Sequence, residues 1–397
     1  MLKRIVIKLG SQVVANAADP ASSRRLRNLV NQIASIHRGK AEILLVTSGA
    51  VALGRSALRM SQKLSTTEKQ ACAAVGQAEL MHYYRRWFQS HKIISAQLLL
   101  TADDFSNRNR YLCLRATLQE MLGRRVIPII NENDPVSSEE LKPIGLAGST
   151  ASSFGDNDRL SALVAAKLDA DLLILVTDVD GIYTADPKTD PDAKRLTVVS
   201  DYRELQSVQS QGKSLLGRGG MTSKIEAAKI ASVGGVHTMI TSGLAKATLT
   251  NCVRAFGSGT PKEGKTHLKD WAGTWILPQS QAERPISKRK QWIGFSSGYR
   301  GVLTVNDGAK RALLERGASL LPSGIIAISG EFAPKDIVSL QDERGDEIGR
   351  GMVLMDSKSL TRVLGKRSQE IAEILGAQVT RPEAVHRDDL ILFNEMK

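Results

Sequence analysis

The chain has 397 residues, with 54 Lys and Arg against 41 Asp and Glu, so its formal net charge is +13. Hydrophobic residues make up 42% and charged residues 24%. This composition is typical of globular proteins and excludes disordered and collagen-like chains. Three cysteines are too few and too far apart for a disulfide framework or a four-ligand zinc site. No uncharged apolar run approaches the ~18 residues needed to cross a bilayer, so we expect a cytoplasmic protein without a membrane partner.

The positive charge lies in the first two thirds of the sequence. Residues 1–260 carry a net charge of +10, residues 261–290 carry +4 and residues 291–397 carry −1. A nucleic-acid-binding tail would show the opposite gradient, because counterion release requires clustered Lys and Arg on the binding unit.

Residues 1–258 alternate short β-branched runs with longer amphipathic stretches. This alternation predicts an α/β domain, in which an open and mostly parallel sheet lies between layers of helices. The predicted strands are 4–9, 42–47, 93–100, 126–130, 171–177 and 236–241. The predicted helices are 22–37, 67–89, 110–122, 157–168 and 222–233. Ligands of such sheets bind beyond the carboxyl ends of the strands.

The remainder of the chain has a different pattern. Residues 259–290 are rich in Gly, Ser, Pro, Lys and Thr, which predicts a linker. Residues 291–376 predict a small β-rich, barrel-like domain with strands at 301–305, 325–329 and 337–340 and helices at 307–316 and 357–364. Residues 377–397 are interpreted as a C-terminal extension.

Lys8 lies near the end of the first predicted strand, before Gly10 and Ser11. A buried lysine is costly without an anion, and a glycine lets backbone approach a phosphate closely. Ser48 and Gly49 end the next strand and lead into a helix, whose N-terminus favours anions. The two strand ends together predict an anion site, although a strand-end lysine by itself is also typical of an exposed, solubilising side chain.

Two Asn/Asp tetrads occupy similar positions. Residues 131–134 follow the strand 126–130, and residues 155–158 open the helix that begins near Asn157. Both fit a substrate site, and both fit an N-cap or an Asx-turn. Thr177 and Asp178, at the end of the strand 171–177, fit either a ligand site or a simple turn.

A glycine-rich loop at 217–224 places Arg218 and Lys224 at a helix start. Cations there oppose the helix dipole unless an anion is present, so the loop also predicts an anion site. The six histidines have no metal-ligand spacing, and the nucleophile elbow of hydrolases is missing from the sequence. Zinc-enzyme and hydrolase functions therefore have no support.

Together these motifs resemble the amino acid kinase family, in particular its glutamate-phosphorylating members. The resemblance covers nearly the whole chain, because residues 291–376 are similar to the PUA domain of many bacterial members. Residues 135–154 form a longer segment than is usual in those members. The matching motifs are Lys8-Leu9-Gly10-Ser11, Val46-Thr47-Ser48-Gly49-Ala50, Ala74-Val75-Gly76-Gln77, Ile129-Ile130-Asn131-Glu132-Asn133-Asp134, Gly155-Asp156-Asn157-Asp158, Leu175-Val176-Thr177-Asp178, residues 181–187, and Gly219-Gly220-Met221 with Lys224.

The resemblance implies ATP-dependent phosphorylation of the γ-carboxylate of L-glutamate to L-glutamyl 5-phosphate, the first step of proline biosynthesis. It implies that Lys8 and Lys224 hold the transferring phosphoryl group and that Asp158 orients both lysines. The implied glutamate-binding residues are Ser48, Asp134, Asn157 and Asn131. The implied nucleotide-binding residues are Lys8, Gly10, Ser11, Thr177, Asp178, Arg218, Gly219, Gly220, Met221, Thr222, Ser223 and Lys224.

The residue types suit this chemistry. A γ-carboxylate has a pKa of about 4.3, so at neutral pH it is already an anionic nucleophile and needs no general base. Phosphoryl transfer then depends on positioning and charge stabilisation, with Mg²⁺ bridging phosphate oxygens. Because Mg²⁺ keeps several waters and leans on substrate phosphates, we expect no dedicated protein metal ligands.

Other members of the same fold leave an alternative, since an aspartokinase-like enzyme would phosphorylate a different carboxylate. A second alternative is RNA binding through the PUA-like domain, which the basic run at 288–290 favours and the charge of residues 291–397 opposes. The family resemblance implies a homo-oligomer, either a dimer or a tetramer, and glutamyl phosphate reductase as the pathway partner.

Overall fold

The computed structural model describes residues 2–14, 20–61, 63–101, 103–136, 157–185, 187, 190–202, 204–205, 220–259, 271–279, 288–294, 299–366, 368–375 and 382–393. The chain forms two compact units. The first contains most of the described residues up to 281, and the second contains those from 282 onward. Among the described helices, none is long and apolar enough to cross a membrane.

The first unit is built on an eight-stranded sheet. Its strands are β1 (Arg4–Leu9), β2 (Glu42–Thr47), β3 (Ser95–Leu100), β4 (Ile127–Glu132), β5 (Leu172–Thr177), β8 (Val198–Val199), β9 (His237–Ser242) and β10 (Gly273–Ile276). They lie in the order β3-β4-β2-β1-β5-β9-β10-β8. The first six strands in this order are parallel, whereas β10 runs antiparallel to β9. A separate two-stranded ribbon pairs β6 (Ile182–Tyr183) with β7 (Arg195–Leu196).

Central strands β1, β2 and β5 are almost continuously apolar and buried, as expected for parallel strands that are covered on both faces. The helices between residues 11 and 257 are α1 (Ser11–Val14), α2 (Pro20–Arg38), α3 (Ala50–Ala57), α4 (Thr66–Ser90), α5 (Asp103–Ser106), α6 (Arg108–Gly123), α7 (Asn157–Lys167), α8 (Gly220–Val233) and α9 (Thr248–Gly257). All of them belong to the first unit except α5 and the start of α6, which belong to the second. The predicted fold class, an open and mostly parallel sheet between helices, is confirmed.

In the first sheet, the strands β4 and β10 differ clearly from the sequence prediction. Strand β4 continues to Glu132, because Asn131 and Glu132 pair with Leu99 and Leu100 of β3. Residues 273–276, predicted to belong to a linker, form β10 and pair with both β9 and β8. A four-residue run containing Gly and Thr is too short for a clear periodicity, so its sheet partners decide its structure.

The second unit has a five-stranded sheet with the order β12-β11-β13-β14-β15. All of its pairings are antiparallel except β11 with β13. The strands are β11 (Gly301–Val305), β12 (Ile325–Gly330), β13 (Ile337–Gln341), β14 (Glu347–Val353) and β15 (Val385–Leu392), and the helices are α10 (Lys288–Gly294), α11 (Asp307–Arg316), α12 (Ser357–Arg362) and α13 (Ser368–Leu375). The predicted second β-rich domain is confirmed, but residues 385–392, interpreted as an extension, complete its sheet.

Helices α3 and α4 cross at unusually short range through two glycines. A Cβ atom on Gly76 would lie 1.8 Å from the carbonyl oxygen of Ala50, and one on Gly54 would lie 1.8 Å from that of Cys72. Real Cβ atoms do not approach backbone so closely, so only glycine allows this crossing. Helix α3 follows Ser48, and Gln77 lies next to Gly76 on α4, so the crossing fixes the distance between these two polar residues.

We predict that Gly76→Ala lowers the free energy of unfolding by at least about 1–3 kcal/mol, because the added methyl group overpacks a backbone contact that has no side chain to yield. The matched control is Gly123→Ala at the end of α6, where an added Cβ has no neighbour within 4 Å. Alanine is the better helix former, so the control should keep or gain stability. Urea denaturation followed by circular dichroism measures both, and equal stability of the two variants would contradict the tight crossing.

Candidate functional site

The site lies where four neighbouring parallel strands end. Strands β4, β2, β1 and β5 are adjacent in the sheet, and parallel strands present their carboxyl ends at a common edge. Lys8 pairs in register with Val46 on one side and Leu175 on the other, at the centre of this edge. Sequence segments that are more than a hundred residues apart therefore meet beyond the strand ends, where open α/β sheets bind ligands.

Asp158 joins the two lysines that the sequence singled out. Its Oδ1 lies 2.5 Å from Nζ of Lys8, and its Oδ2 lies 3.1 Å from Nζ of Lys224. The hydroxyl of Ser223 also donates to Oδ2, at 3.1 Å. Lys8 comes from β1, Asp158 from the first turn of α7, and Ser223 and Lys224 from the first turns of α8. The structure thus brings together residues from three distant parts of the chain.

This cluster is buried and carries more positive than negative charge. The side chains of Lys8 and Asp158 are 6% and 1% exposed, and that of Lys224 is 11% exposed. Burial raises the pKa of Asp158, but the charges and hydrogen bonds of Lys8 and Lys224 outweigh burial and hold this pKa below its usual value of 3.8. Among these three described side chains two are cationic and one is anionic, so the cluster itself favours an anionic ligand.

A chain of amide hydrogen bonds lies beside the charged cluster. Asn157 Nδ2 donates to Ser48 Oγ at 2.9 Å and to Asn131 Oδ1 at 3.0 Å. Asn131 Nδ2 donates in turn to Oε1 of Gln77 at 2.9 Å. Asn131 and Gln77 are buried, so these bonds lie in a region of low dielectric. The chain links the ends of β2 and β4 to the start of α7 and to the middle of α4.

The end of β2 is held in place by two further features. Thr47 shares a buried hydrogen bond of 2.7 Å with the hydroxyl of Tyr84 on α4. Burial raises the pKa of this tyrosine, despite the opposing effect of the Thr47 hydrogen bond. Gly49 has a φ of 109°, a conformation that side chains rarely adopt, and this turn directs the chain from Ser48 into α3.

The remaining predicted residues fall into three groups. Gly10 and Thr177 lie together, since Gly10 N donates to Val176 O at 3.0 Å, and Thr177 donates to Asp178 Oδ1 at 2.9 Å. Ser11 begins α1 after Gly10, Asp134 begins a short 3-10 helix (Asp134–Val136) after β4, and Gly220, Met221 and Thr222 begin α8. Arg218 and Gly219 lie outside the described residues, as does most of the 135–154 segment.

Sequence reasoning placed Gln77 in a family motif but gave it no role, and it missed Tyr84 altogether. Both lie on α4, a long helix, and hydrophobic periodicity alone does not show which of its residues face the site. A usable signal existed for Gln77, because it is a polar residue next to a mid-helix glycine. A mid-helix glycine lowers helix stability and points to a close packing contact at that position.

The described residues of this site do not fit a protein-held magnesium ion. Within the described part of the chain, no three His, Cys, Asp or Glu side chains are grouped so that they could hold a metal. Both oxygens of Asp158 already face ammonium groups. We therefore expect magnesium to arrive as part of the nucleotide substrate.

Comparison with known proteins agrees with this architecture. Residues 3–242 match the amino acid kinase family, and residues 301–375 match the PUA domain. The chain therefore belongs to the amino acid kinase family and carries a PUA domain after the kinase domain.

Full-length relatives share the same name. A protein of Nitrobacter winogradskyi named glutamate 5-kinase is 40% identical over 393 residues, which cover 98% of this chain and 96% of its own. Glutamate 5-kinase of Dictyoglomus thermophilum is 38% identical over 394 residues, covering 99% and 98%. Glutamate 5-kinase of Caldanaerobacter subterraneus is 38% identical over 392 residues, covering 98% of both chains.

We predict that Asp158→Asn lowers the free energy of unfolding by about 3–5 kcal/mol at neutral pH, because it leaves two buried ammonium groups without their shared counter-charge. Since the folded-state pKa of Asp158 lies below 3.8, this difference from wild type should be complete above that pH. It should shrink only as the pH falls through the folded-state pKa.

Glu120→Gln is the matched control, because Glu120 forms a surface ion pair with Arg124 in which both side chains are mostly exposed. Loss of this ion pair should lower the free energy of unfolding by less than about 1 kcal/mol. Chemical denaturation at several pH values measures both variants. A loss for Asp158→Asn no larger than for the control would show that the two lysines do not depend on this carboxylate.

Proposed function

We propose that the protein transfers the γ-phosphoryl group of ATP to the γ-carboxylate of L-glutamate and releases ADP and L-glutamyl 5-phosphate. The observation that carries this proposal is the contact of two buried ammonium groups with one carboxylate at the carboxyl edge of the sheet. The names of the full-length relatives support the choice of glutamate as the acceptor.

In this reaction a γ-carboxylate oxygen of glutamate forms a bond to the γ-phosphorus of ATP, while the bond from that phosphorus to the bridging oxygen of ADP breaks. The nucleophile is already ionised at neutral pH, so no proton has to be removed. The main obstacle is the approach of an anion to a polyphosphate. Positioning and charge stabilisation therefore supply most of the catalysis.

Lys8 and Lys224 are the proposed catalytic residues, with their ammonium groups beside the oxygens of the transferring phosphoryl group. Asp158 is the proposed positioning residue, because each of its oxygens holds one lysine. Its two oxygens thus orient both lysines. The two ammonium groups attract the phosphates, and this attraction is used fully only when negative charge develops in the transition state.

Ser48, Asn131, Asn157 and Asp134 are proposed to bind glutamate. The first three belong to the amide chain, and Asn157 is next to Asp158 in sequence, so the acceptor would lie adjacent to the two lysines. Gly10, Ser11, Thr177, Asp178 and residues 218–224 are proposed to bind ATP. Magnesium would enter as the complex with the nucleotide, where it would supply positive charge to the phosphates.

The product of this reaction is an acyl phosphate, which is reactive toward water and other nucleophiles. We propose that a glutamyl phosphate reductase consumes it, in the first steps of proline biosynthesis. The described cysteines are all free thiols, which fits a reducing cytoplasm as the place of this reaction.

The function is tested by trapping the acyl phosphate with hydroxylamine while ADP release is measured. We expect both signals with L-glutamate and at least a tenfold lower rate with L-aspartate, N-acetylglutamate or UMP. A higher rate with any of these acceptors than with L-glutamate would show that this acceptor, and not glutamate, is the substrate. The absence of both signals with every acceptor would contradict the kinase proposal for this chain.

We predict that Lys8→Ala and Lys224→Ala each lower kcat by about 10²–10³-fold, since each removes one preorganised charge from the transition state. Lys358→Ala, which changes an exposed lysine of the second unit, is the control and should retain wild-type kcat. Steady-state ADP release measures all three. Wild-type kcat in either site variant would remove that lysine from the proposed mechanism.

A further inference from the structure

The amide chain has a fixed polarity, because the backbone sets the orientation of its middle member, Asn131. The backbone N–H of Glu132 donates to Oδ1 of Asn131 at 3.0 Å. An N–H group must face an acceptor, so this bond determines which end of the Asn131 amide is oxygen. The Nδ2 group of Asn131 is then a donor, and its neighbour on α4 must present oxygen to it.

This polarity propagates in both directions. Gln77 presents Oε1 to Asn131, so its Nε2 group turns away from the chain. Asn157 presents Nδ2 to Asn131 and to Ser48, so its Oδ1 turns away at the other end. Both terminal atoms are buried, and neither has a hydrogen-bond partner among the described residues. The chain therefore ends in an unused donor at Gln77 and an unused acceptor at Asn157.

A buried donor or acceptor without a partner costs about 1–3 kcal/mol, so a ligand that pairs with both ends of the chain would be stabilised there. An amino acid in its zwitterionic form carries both matching groups, an anionic carboxylate and a cationic ammonium group. The carboxylate is an acceptor for the donor end, and the ammonium group is a donor for the acceptor end.

We propose that Gln77 is a substrate-binding residue whose Nε2 group donates to the carboxylate on the α-carbon of the amino acid acceptor. Asn157 Oδ1 accepts from the ammonium group on the same carbon. This inference rests on the proposed function and adds to it a residue of α4. It also gives the reason why the acceptor must be a free amino acid.

An unpartnered glutamine amide alone would not carry this assignment. Gln32 on α2 is equally buried, at 8% exposure, and its Nε2 also has no partner among the described residues. Its Oε1 instead accepts from the backbone N–H of Leu249 at the start of α9. Gln77 differs because its other end belongs to the hydrogen-bond chain that reaches Ser48 and Asn157.

Two variants separate donation to the substrate from support of Asn131. Gln77→Met removes both the acceptor and the donor. Gln77→Glu keeps an oxygen for Asn131 Nδ2 but replaces the donor by a second oxygen. We expect both variants to raise the KM for L-glutamate by about 10–100-fold, the range that corresponds to a hydrogen bond with a charged group. The KM for ATP should stay within about twofold, because Gln77 contacts no nucleotide group in this proposal.

The control is Gln32→Met, which makes the same substitution at the equally buried glutamine and should leave the KM for L-glutamate unchanged. Glutamate binding measured by titration calorimetry provides a readout that does not depend on turnover. A wild-type KM in Gln77→Glu, with a raised KM in Gln77→Met alone, would reduce Gln77 to a support for Asn131 and overturn the proposal.

If Gln77→Met does not fold in a thermal melt, Gln77→Glu decides the question by itself. Wild-type protein that produces no glutamyl hydroxamate would contradict the proposed function. Wild-type activity with wild-type KM in both Gln77 variants would contradict only the assignment of Gln77.

Discussion

The ion pairs of Asp158 are the interaction on which the site depends. One carboxylate that is 1% exposed holds two ammonium groups, one on each of its oxygens. Removal of this carboxylate would leave two buried ammonium groups without their shared counter-charge. The arrangement therefore ties three parts of the chain, at positions 8, 158 and 224, to one point at the sheet edge.

The parallel sheet makes this convergence possible. Each crossover returns the chain to the same edge, so every strand end adds a few side chains to one shared cleft. Strand β1 contributes a cation, β2 and β4 contribute a hydroxyl and an amide, and the first turns of α7 and α8 contribute the carboxylate and the second cation. The charged cluster and the amide chain are neighbours because Asn157 and Asp158 are consecutive residues. The proposed division into a phosphate side and an amino acid side thus begins with one dipeptide.

The sequence allowed most of this to be predicted where a pattern was long and regular. The strands 4–9 and 42–47 were predicted with the bounds that the structure has, because continuous apolar runs between polar ends leave few alternatives. Strand β10 was not predicted, since its four residues form a strand only through their partners. The family resemblance predicted that Lys8 and Lys224 meet at Asp158, but it assigned no role to α4. The orientation of the Gln77 amide depends on the backbone N–H of Glu132, which is 55 residues away in sequence and acts through Asn131.

The crossing of α3 and α4 restricts how this protein can change over generations. The atoms that an added methyl group would meet at Gly54 and Gly76 belong to backbone, at Cys72 and at Ala50 and Gly54. A smaller side chain elsewhere cannot make room, so no second substitution compensates for the first. A substitution at either position would have to move a whole helix. It would also move Ser48, which follows β2, or Gln77, at which the amide chain ends.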